Sequence, residues 1–436
     1  MAVQPEQGRK WLTDSRLFIL GFVLLAVLLY PGFISPDSKR QILEGRSGVY
    51  GDWHPPVVTF LWSIADRFFI AGTFGILLLH LSLFWWGLCS FTTGLWSSKG
   101  RWLPFLICFY PPIFGIEGAI WKDLLMVGAL AVALATMKKP PSKKWSAVFW
   151  AAIFVGTASR YNAWVAAIPL IFIWAHRWKR WRRLGMTAAM SIVLLVTTVL
   201  ANSLLADKKE QPWQSLAIHD VFGVAAATNQ PLKPAWCSEC PTYSAEKIGT
   251  HHQAFWWEGT LRKIKVRLPE SKADLDALRS QWKEMVFSNP GGYLRHRSDT
   301  FFFMLAITMD PWGATYYQLP KRKHIFRQLN HNHQLNLVQT KIQSWLYEVR
   351  TSLFFRPWIY LLLALILLVV NWRWRLGRGE ITALLLSGVG CELSLFIMAP
   401  SSDYRYSLWL IITTVIAGAV MGADHRSSRL SRTSSD

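Results

Sequence analysis

Acidic residues are scarce in this chain: 26 Asp and Glu stand against 47 Lys and Arg over 436 residues, a formal net charge of +21. Cysteine is scarcer still, five in all, and only Cys237 and Cys240 are close in sequence. So low a count argues against a disulfide-dense small domain and against a two-pair zinc ribbon. P-loops, dinucleotide-binding glycine patterns, Ser-His-Asp signatures and internal repeats are also lacking, which speaks against nucleotide-driven, nicotinamide-dependent, serine-hydrolase and solenoid classes.

Apolar surface is what the chain has in excess. Hydrophobic residues make up 52% of it, with 25 Trp and 25 Phe. Several apolar runs are long enough to cross about 30 Å of hydrocarbon, so the fold class expected is an all-α polytopic membrane protein. The positive charge falls in short loops between those runs, as the positive-inside rule requires of cytoplasmic loops, and no nucleic-acid partner is expected.

The pattern places spans near Arg16–Phe33, Phe69–Phe91, Trp102–Ile116, Asp123–Met137, Trp145–Thr157, Ala163–Ala175 and Leu184–Ala206. Three more follow near Phe355–Val370, Ile381–Met398 and Leu408–Met421, about ten transmembrane helices in all, with Val57–Phe69 read as re-entrant or interfacial. The first run has no small-residue cleavage site and reads as a retained anchor. Ser97–Arg101, Lys138–Lys144, His176–Arg183 and Trp372–Arg375 are the basic loops, which puts both termini in the cytoplasm. Four regions result: a transmembrane module over 1–206, a large extracytoplasmic domain over 207–351, closing helices over 352–424 and a disordered cytoplasmic tail over 425–436. The large domain reads as mainly helical over Ser271–Phe287 and Ser288–Thr308, with loops elsewhere.

On this map Asp52, His54, Glu117, Lys122, Asp123, Arg160, Asn162, Asp403 and Arg405 all fall on the face opposite the basic loops. Ionisable groups at a bilayer boundary are costly unless paired or wet, so their collection at one surface marks a site. Asp52 and His54, in Tyr50-Gly51-Asp52-Trp53-His54-Pro55-Pro56, put a carboxylate and an imidazole on backbone stiffened by two prolines, suited to general-base work.

These motifs resemble those of the GT-C membrane glycosyltransferases, in particular the bacterial dolichyl-phosphate-mannosyltransferase-like and RgtA/B/C/D-like branch. The resemblance is carried by the Asp52 loop, by Trp121-Lys122-Asp123, by Ser159-Arg160-Tyr161-Asn162 and by Asp403-Tyr404-Arg405-Tyr406, with Asn289-Pro290 through Arg295-His296-Arg297 as a further similar feature. It covers roughly Arg16–Arg183 well and the last helices moderately. It implies a multi-pass protein of the bacterial inner membrane that transfers a sugar from a polyprenyl-phosphate carrier to a lipid, glycan or protein acceptor on the extracytoplasmic face. Asp52 is then the base, with His54 beside it, and Lys122, Arg160 and Arg405 hold the leaving phosphate; inversion at the anomeric carbon is expected. Glu117, Asp123, Asn162 and Asp403 join these cations as substrate-binding residues. No cofactor is required by this scheme, and a divalent cation, Mg or Mn, is left open.

Each residue also has a structural reading. Asp52 is placed to cap a helix beginning near Pro55, and His54 to bond a loop carbonyl. Lys122 and Asp123 are a self-neutralising pair at a helix start, and Asp403 and Arg405 a local clamp. Glu117 is a metal partner of Asp52, an acceptor contact or a solvated turn residue, and Glu392 is a packed, protonated group. Cys237 and Cys240 are expected to form a short disulfide; a redox pair, or a zinc site with His251 and His252, is the alternative. His331-Asn332-His333 is similarly ambiguous. Trp213, Trp236, Trp256, Trp257 and Trp282 either stack on sugar rings, rest in the interface or fill the domain's own core. Two other functions fit the same composition: a transporter or flippase of a lipid-linked or anionic substrate, and an O-antigen polymerase or ligase. The absence of paired halves counts against the first, and the early position of Asp52 against the second.

Overall fold

The computed structural model describes residues 5–68, 73–93, 102–175, 180–313, 315, 329, 335–373 and 379–433. The basic loops at 97–101, 176–179 and 374–375 and the 331–333 run lie outside the described residues. Among those described, the chain is helical, and β pairing is confined to isolated bridges.

Helix α1 (Pro5–Leu29) leads into a loop and then α2 (Pro36–Ser47), α3 (Pro56–Phe68) and α4 (Thr73–Thr93). Helices α5 (Leu103–Cys108) and α6 (Pro111–Glu117) precede α7 (Lys122–Thr136), α8 (Lys143–Ala158), α9 (Trp164–Trp174) and α10 (Arg180–Leu205). Among the described residues, four helices are long and apolar enough, by length and composition, to cross a membrane: Thr73–Thr92, Trp181–Leu205, Gly379–Met398 and Tyr404–Gly422. Shorter apolar helices occupy Arg16–Leu29, Trp164–Trp174 and Pro357–Arg373.

The centre of the helical body is α4 against α7 and α7 against α8. Close approach is possible because Gly87 faces the Ala131–Val132 backbone, where a Cβ would stand 2.6 Å from the Ala131 carbonyl carbon. Small residues at such crossings let two apolar helices gain dispersion contact along their length. The span expected over Trp102–Ile116 is instead two short helices, because Pro111 and Pro112 cannot continue the ladder begun by α5.

Between α10 and the closing helices lies a domain built on α11 (Trp213–Thr228), α12 (Ala245–His251), α13 (Trp257–Ile264), α14 (Lys272–Ser288) and α15 (Pro290–Met304). Its core holds Ile218, Val221, Phe222, Trp236, Ile248 and Leu278, with the disulfide Cys237–Cys240 at its edge. Helix α11 falls where only loops were expected; its central residues are buried on every side, so it carries no amphipathic period for the sequence to display. Helix α16 (Leu337–Val349) leaves this domain and packs with the helical body: Leu346 joins the main core and Gln339 Nε2 donates to the carbonyls of Leu28 and Tyr30 at 3.2 and 2.8 Å. The last part of the 207–351 region therefore belongs with the main body.

Helices α17 (Pro357–Arg373), α18 (Gly379–Met398) and α19 (Leu408–Thr433) close the chain. The tail over 425–436, expected to be disordered, is helical as far as Thr433; past Gly422 it contains neither Pro nor Gly to break the helix. The domain is tied to the α18–α19 loop by Arg297, which is fully buried, pairs with Asp220 at 2.5 Å and donates from Nη1 to the Ala399 carbonyl at 2.7 Å.

Candidate active site

The loop after α1 is strapped to the start of α7. Phe33 N donates to Gly118 O and Ile120 N to Phe33 O, both at 2.8 Å, while Trp121 Nε1 donates to Ser35 Oγ at 2.9 Å. Ser35 also caps α2 through a reciprocal box with Ser38, and Pro36 sets the first helical φ. These bonds leave Asp37, in the first turn of α2, facing Lys122 at the first turn of α7.

Asp37, His54, Lys122, Arg160, Asn162, Asp403 and Arg405 line one cavity of about 860 Å³. It lies where the N-terminal ends of α7, α9 and α19 meet the C-terminal end of α18. Arg405 Nη2 reaches Asp37 Oδ2 at 2.9 Å, and its Nε reaches Asp403 at 3.0 Å and Asp123 at 3.9 Å. The Arg405 guanidinium also stacks 4.5 Å from the Trp121 ring. Arg160 is paired with Asp123 and lies over the Tyr406 ring at 4.2 Å. Asn162 donates to Ser394 Oγ at 3.0 Å. Among the described residues Lys122 has no carboxylate partner; its ammonium donates to His54 Nδ1 at 3.1 Å. An ammonium can only donate, so the ring proton of His54 is on Nε2, 4.0 Å from Asp37 Oδ1.

The charges explain the states of these groups. Burial, and then the neighbouring Lys122 ammonium, push His54 down to about 3, so the imidazole is neutral. Burial alone would raise Asp37, but Arg405 and Lys122 outweigh it and hold the carboxyl well below the usual range. For Asp403 burial outweighs Arg405 and lifts it to about 6. Asp123 lies behind the wall, so the pairing is Asp123 with the two arginines and not with the adjacent Lys122.

Asp52 takes a different position from its expected partners. It lines a neighbouring cavity of about 370 Å³, shared with Arg160, Tyr161 and Lys209. Its Oδ1 accepts from the backbone N–H of Glu210 at 2.5 Å and of Gln211 at 3.2 Å, and Tyr161 Oη donates to its carbonyl at 2.7 Å. Capping of α3 is not its role: the N–H of Val57 goes to Asn202 Oδ1 at 3.1 Å. Glu117 is buried beside Cys108, apart from both cavities, and Glu392 accepts from Ser407 Oγ at 2.8 Å inside the helix packing. Among the described residues no group of three or more His, Cys, Asp or Glu is arranged to hold a metal ion, which includes His251, His252 and the cysteine pair.

No family model matches the chain, and no curated protein does. Among solved structures it is similar to that of ArnT from Cupriavidus metallidurans bound to undecaprenyl phosphate, with 13% identity, 94% of this chain and 79% of that one covered, and a TM-score of 0.36. At that score the likeness carries no argument about activity.

Sequence reasoning missed Asp37. Its signal was there: Ser35-Pro36-Asp37-Ser38 is an N-cap with Pro at N1, and an acidic side chain in a first turn just past an apolar run. The tryptophans divide by what they meet. Trp236 and Trp282 are bonded into the domain, to Arg267 O and Asp220 Oδ2, while Trp213, Trp256 and Trp257 line the large cavity with Trp53 and Trp312.

Proposed function

We propose that the chain is a multi-pass membrane glycosyltransferase, of about ten spans, that moves a sugar from a polyprenyl-phosphate carrier to an acceptor on the extracytoplasmic face. The observation that carries this reading is the row Asp37, neutral His54 and Lys122 opening on one cavity: a carboxylate to take a proton at one end, and at the other an ammonium with no carboxylate contact among the described residues.

Attack of an acceptor hydroxyl on the anomeric carbon forms one C–O bond as the bond to the phosphate oxygen breaks. The hydroxyl proton passes to Asp37, and the phosphate leaves with the electron pair, its growing charge held by Lys122 and Arg160. Three carboxylates, Asp37, Asp123 and Asp403, already balance Lys122, Arg160 and Arg405, so the cation without a carboxylate contact is the one best placed for a departing anion. Asp37 is a weak base at equilibrium, but an oxygen bonded to a carbon of oxocarbenium character is acidic, and a weak base then suffices. Attack opposite the leaving group gives inversion. Asp52, the base expected from the motif, is the alternative, with one oxygen already taken by two backbone N–H groups.

A path for the lipid supports the same reading. Leu184, Thr187, Ala188 and Ser191 of α10 line an apolar cavity of about 650 Å³, and Leu195, Thr198, Val199 and Asn202 line the cavity of Asp52 and Arg160. Steps of three and four residues put all of them on one stripe of the helix. A prenyl chain on that stripe brings its phosphate to Arg160, which lines both upper cavities.

Transfer of labelled sugar from a panel of polyprenyl-phosphate sugars to membrane acceptors tests this. With Asp37→Asn at matched folding, transfer is expected to fall by about 100-fold or more. A loss of that size in Asp52→Asn alone moves the base to Asp52, and no transfer with any donor returns the chain to the transporter and polymerase readings.

A further inference from the structure

Part of the cavity's wall is aromatic, and backbone bonds bolt it to the α18–α19 loop. Trp256 pairs with Ser401 in an isolated bridge, Ser402 N donates to Phe255 O at 2.8 Å, and Tyr404 N donates to Trp312 O at 3.0 Å. Asp403 and Arg405 sit on that same loop. Next to Trp312, Gly313 has φ +72°, and a Cβ there would meet Asp403 Oδ1 at 3.1 Å. The left-handed glycine lets the Trp312 loop close over the carboxylate.

Trp256 and Trp312 stand 6.0 Å apart with their planes at 39°, an open wedge, and Trp312 is 42% exposed. Arg262 lies 5.3 Å from the Trp256 ring and pairs with Glu258 at 3.1 Å, so a carboxylate and a guanidinium border the rings on the cavity side.

We infer that Trp256 and Trp312 form a platform for a pyranose ring and that the acceptor is a glycan. The reasoning is chemical. One face of a pyranose is a row of C–H groups carrying partial positive charge, which pack on the negative face of an indole, while its hydroxyls project at the ring edge where Glu258 accepts and Arg262 donates. A lipid chain would use neither the carboxylate nor the guanidinium, and a peptide would use one ring as readily as two. The inference rests on the transferase reading and narrows its acceptor; the platform selects and orients the sugar whose hydroxyl meets Asp37.

Binding of soluble neutral oligosaccharides of glucose, mannose, galactose and rhamnose to the purified full chain, by calorimetry and saturation-transfer NMR, is the test. Donor turnover to water, measured separately with polyprenyl-phosphate hexoses, reports on the transferase reading alone. Trp256→Ala and Trp312→Ala are expected to weaken oligosaccharide binding by about tenfold or more while donor turnover persists; Trp256→Phe retains most binding, and Trp345→Ala, on α16, changes neither. Equal binding by wild type and both alanine variants overturns the platform. So does a labelled product identified as a lipid or protein and formed at the wild-type rate by those variants. Oligosaccharide binding lost in the variants with no turnover of any donor supports the platform and overturns the transferase reading instead.

Discussion

Lys122 Nζ lies 3.1 Å from His54 Nδ1, an ammonium resting on an imidazole. The contact forces the ring to be an acceptor on that side and places its Nε2 proton on the side of Asp37, so the Asp37 carboxylate and the Lys122 ammonium flank one neutral side chain. Two positive charges at that distance would repel, which is part of why His54 is pushed down to about 3.

The pH dependence of transfer should therefore not come from His54. Asp403, lifted to about 6 by burial, titrates beside the cavity just below neutrality, and Lys122, brought down to about 8 chiefly by burial, just above it. Above that value it is ionised and shares Arg405 with Asp37; below it Arg405 turns its charge onto Asp37 and weakens the base. Transfer is expected to fall as pH drops through about 6, with the inflection lost in Asp403→Asn and kept in His54→Gln. A rate profile that loses its inflection in the histidine variant contradicts this.

Among the described residues that line the cavity, Lys122 is the cation without a carboxylate contact, and its removal takes that charge away. Lys122→Met should lower the transfer rate by about 100- to 1000-fold, the range for loss of one preorganised charge donor to a developing anion. Lys122→Arg should restore part of the loss. Steady-state kinetics with a polyprenyl-phosphate sugar separates this from a binding defect, which would raise KM and spare kcat.

Asp52 holds the entrance to the domain by accepting from Glu210 and Gln211. Asp52→Ala leaves both N–H groups without that acceptor and should cost about 1–2 kcal/mol. Thermal unfolding in detergent is the check, and Asp52→Asn, which keeps a carbonyl oxygen, should lose less. Transfer by the folded fraction of the asparagine variant near the wild-type rate would identify Asp52 as a staple.

The buried pair Asp220–Arg297 is the domain's anchor to the α18–α19 loop. Arg297→Ala strands a carboxylate among His219, His252 and His296, all packed within 5.7 Å of one another by ring centroid, and should destabilise by about 3–5 kcal/mol. Loss of protease resistance confined to 213–304 is the expected signature.

Those histidines also set an acid limit. Burial drives His252 down to about 4 and holds His219 and His296 well below their ordinary value. Because the unfolded chain binds these protons first, the stability they confer is complete above about pH 6.5 and is lost as pH falls toward the folded value. Melting temperature should be level at neutral pH and decline from about 6.5 downward, and His252→Gln should reduce the slope.

Much of the architecture was legible in order along the chain. Apolar runs and basic loops located most long helices to within a few residues, because an 18-residue apolar window and a cluster of Lys or Arg are local properties. The breaks were less legible. Pro111-Pro112 divides a stretch read as one helix, and α11 has no polar face to betray its period.

The site divides the same way. Residue type and the order of the apolar runs singled out His54, Lys122, Arg160, Asn162, Asp403 and Arg405, which the fold brings to one cavity, since charges beside apolar runs are costly and their number at one end is conspicuous. Which carboxylate meets them was a matter of folding. Asp37 and Asp52 lie on the same loop between the same two apolar runs, and no local rule ranks one above the other. The Phe33–Gly118 and Ser35–Trp121 bonds turn Asp37 to Lys122, while the Glu210 and Gln211 backbone claims Asp52. Both choices are made by partners more than 80 residues away in the chain, so only the tertiary structure could decide them.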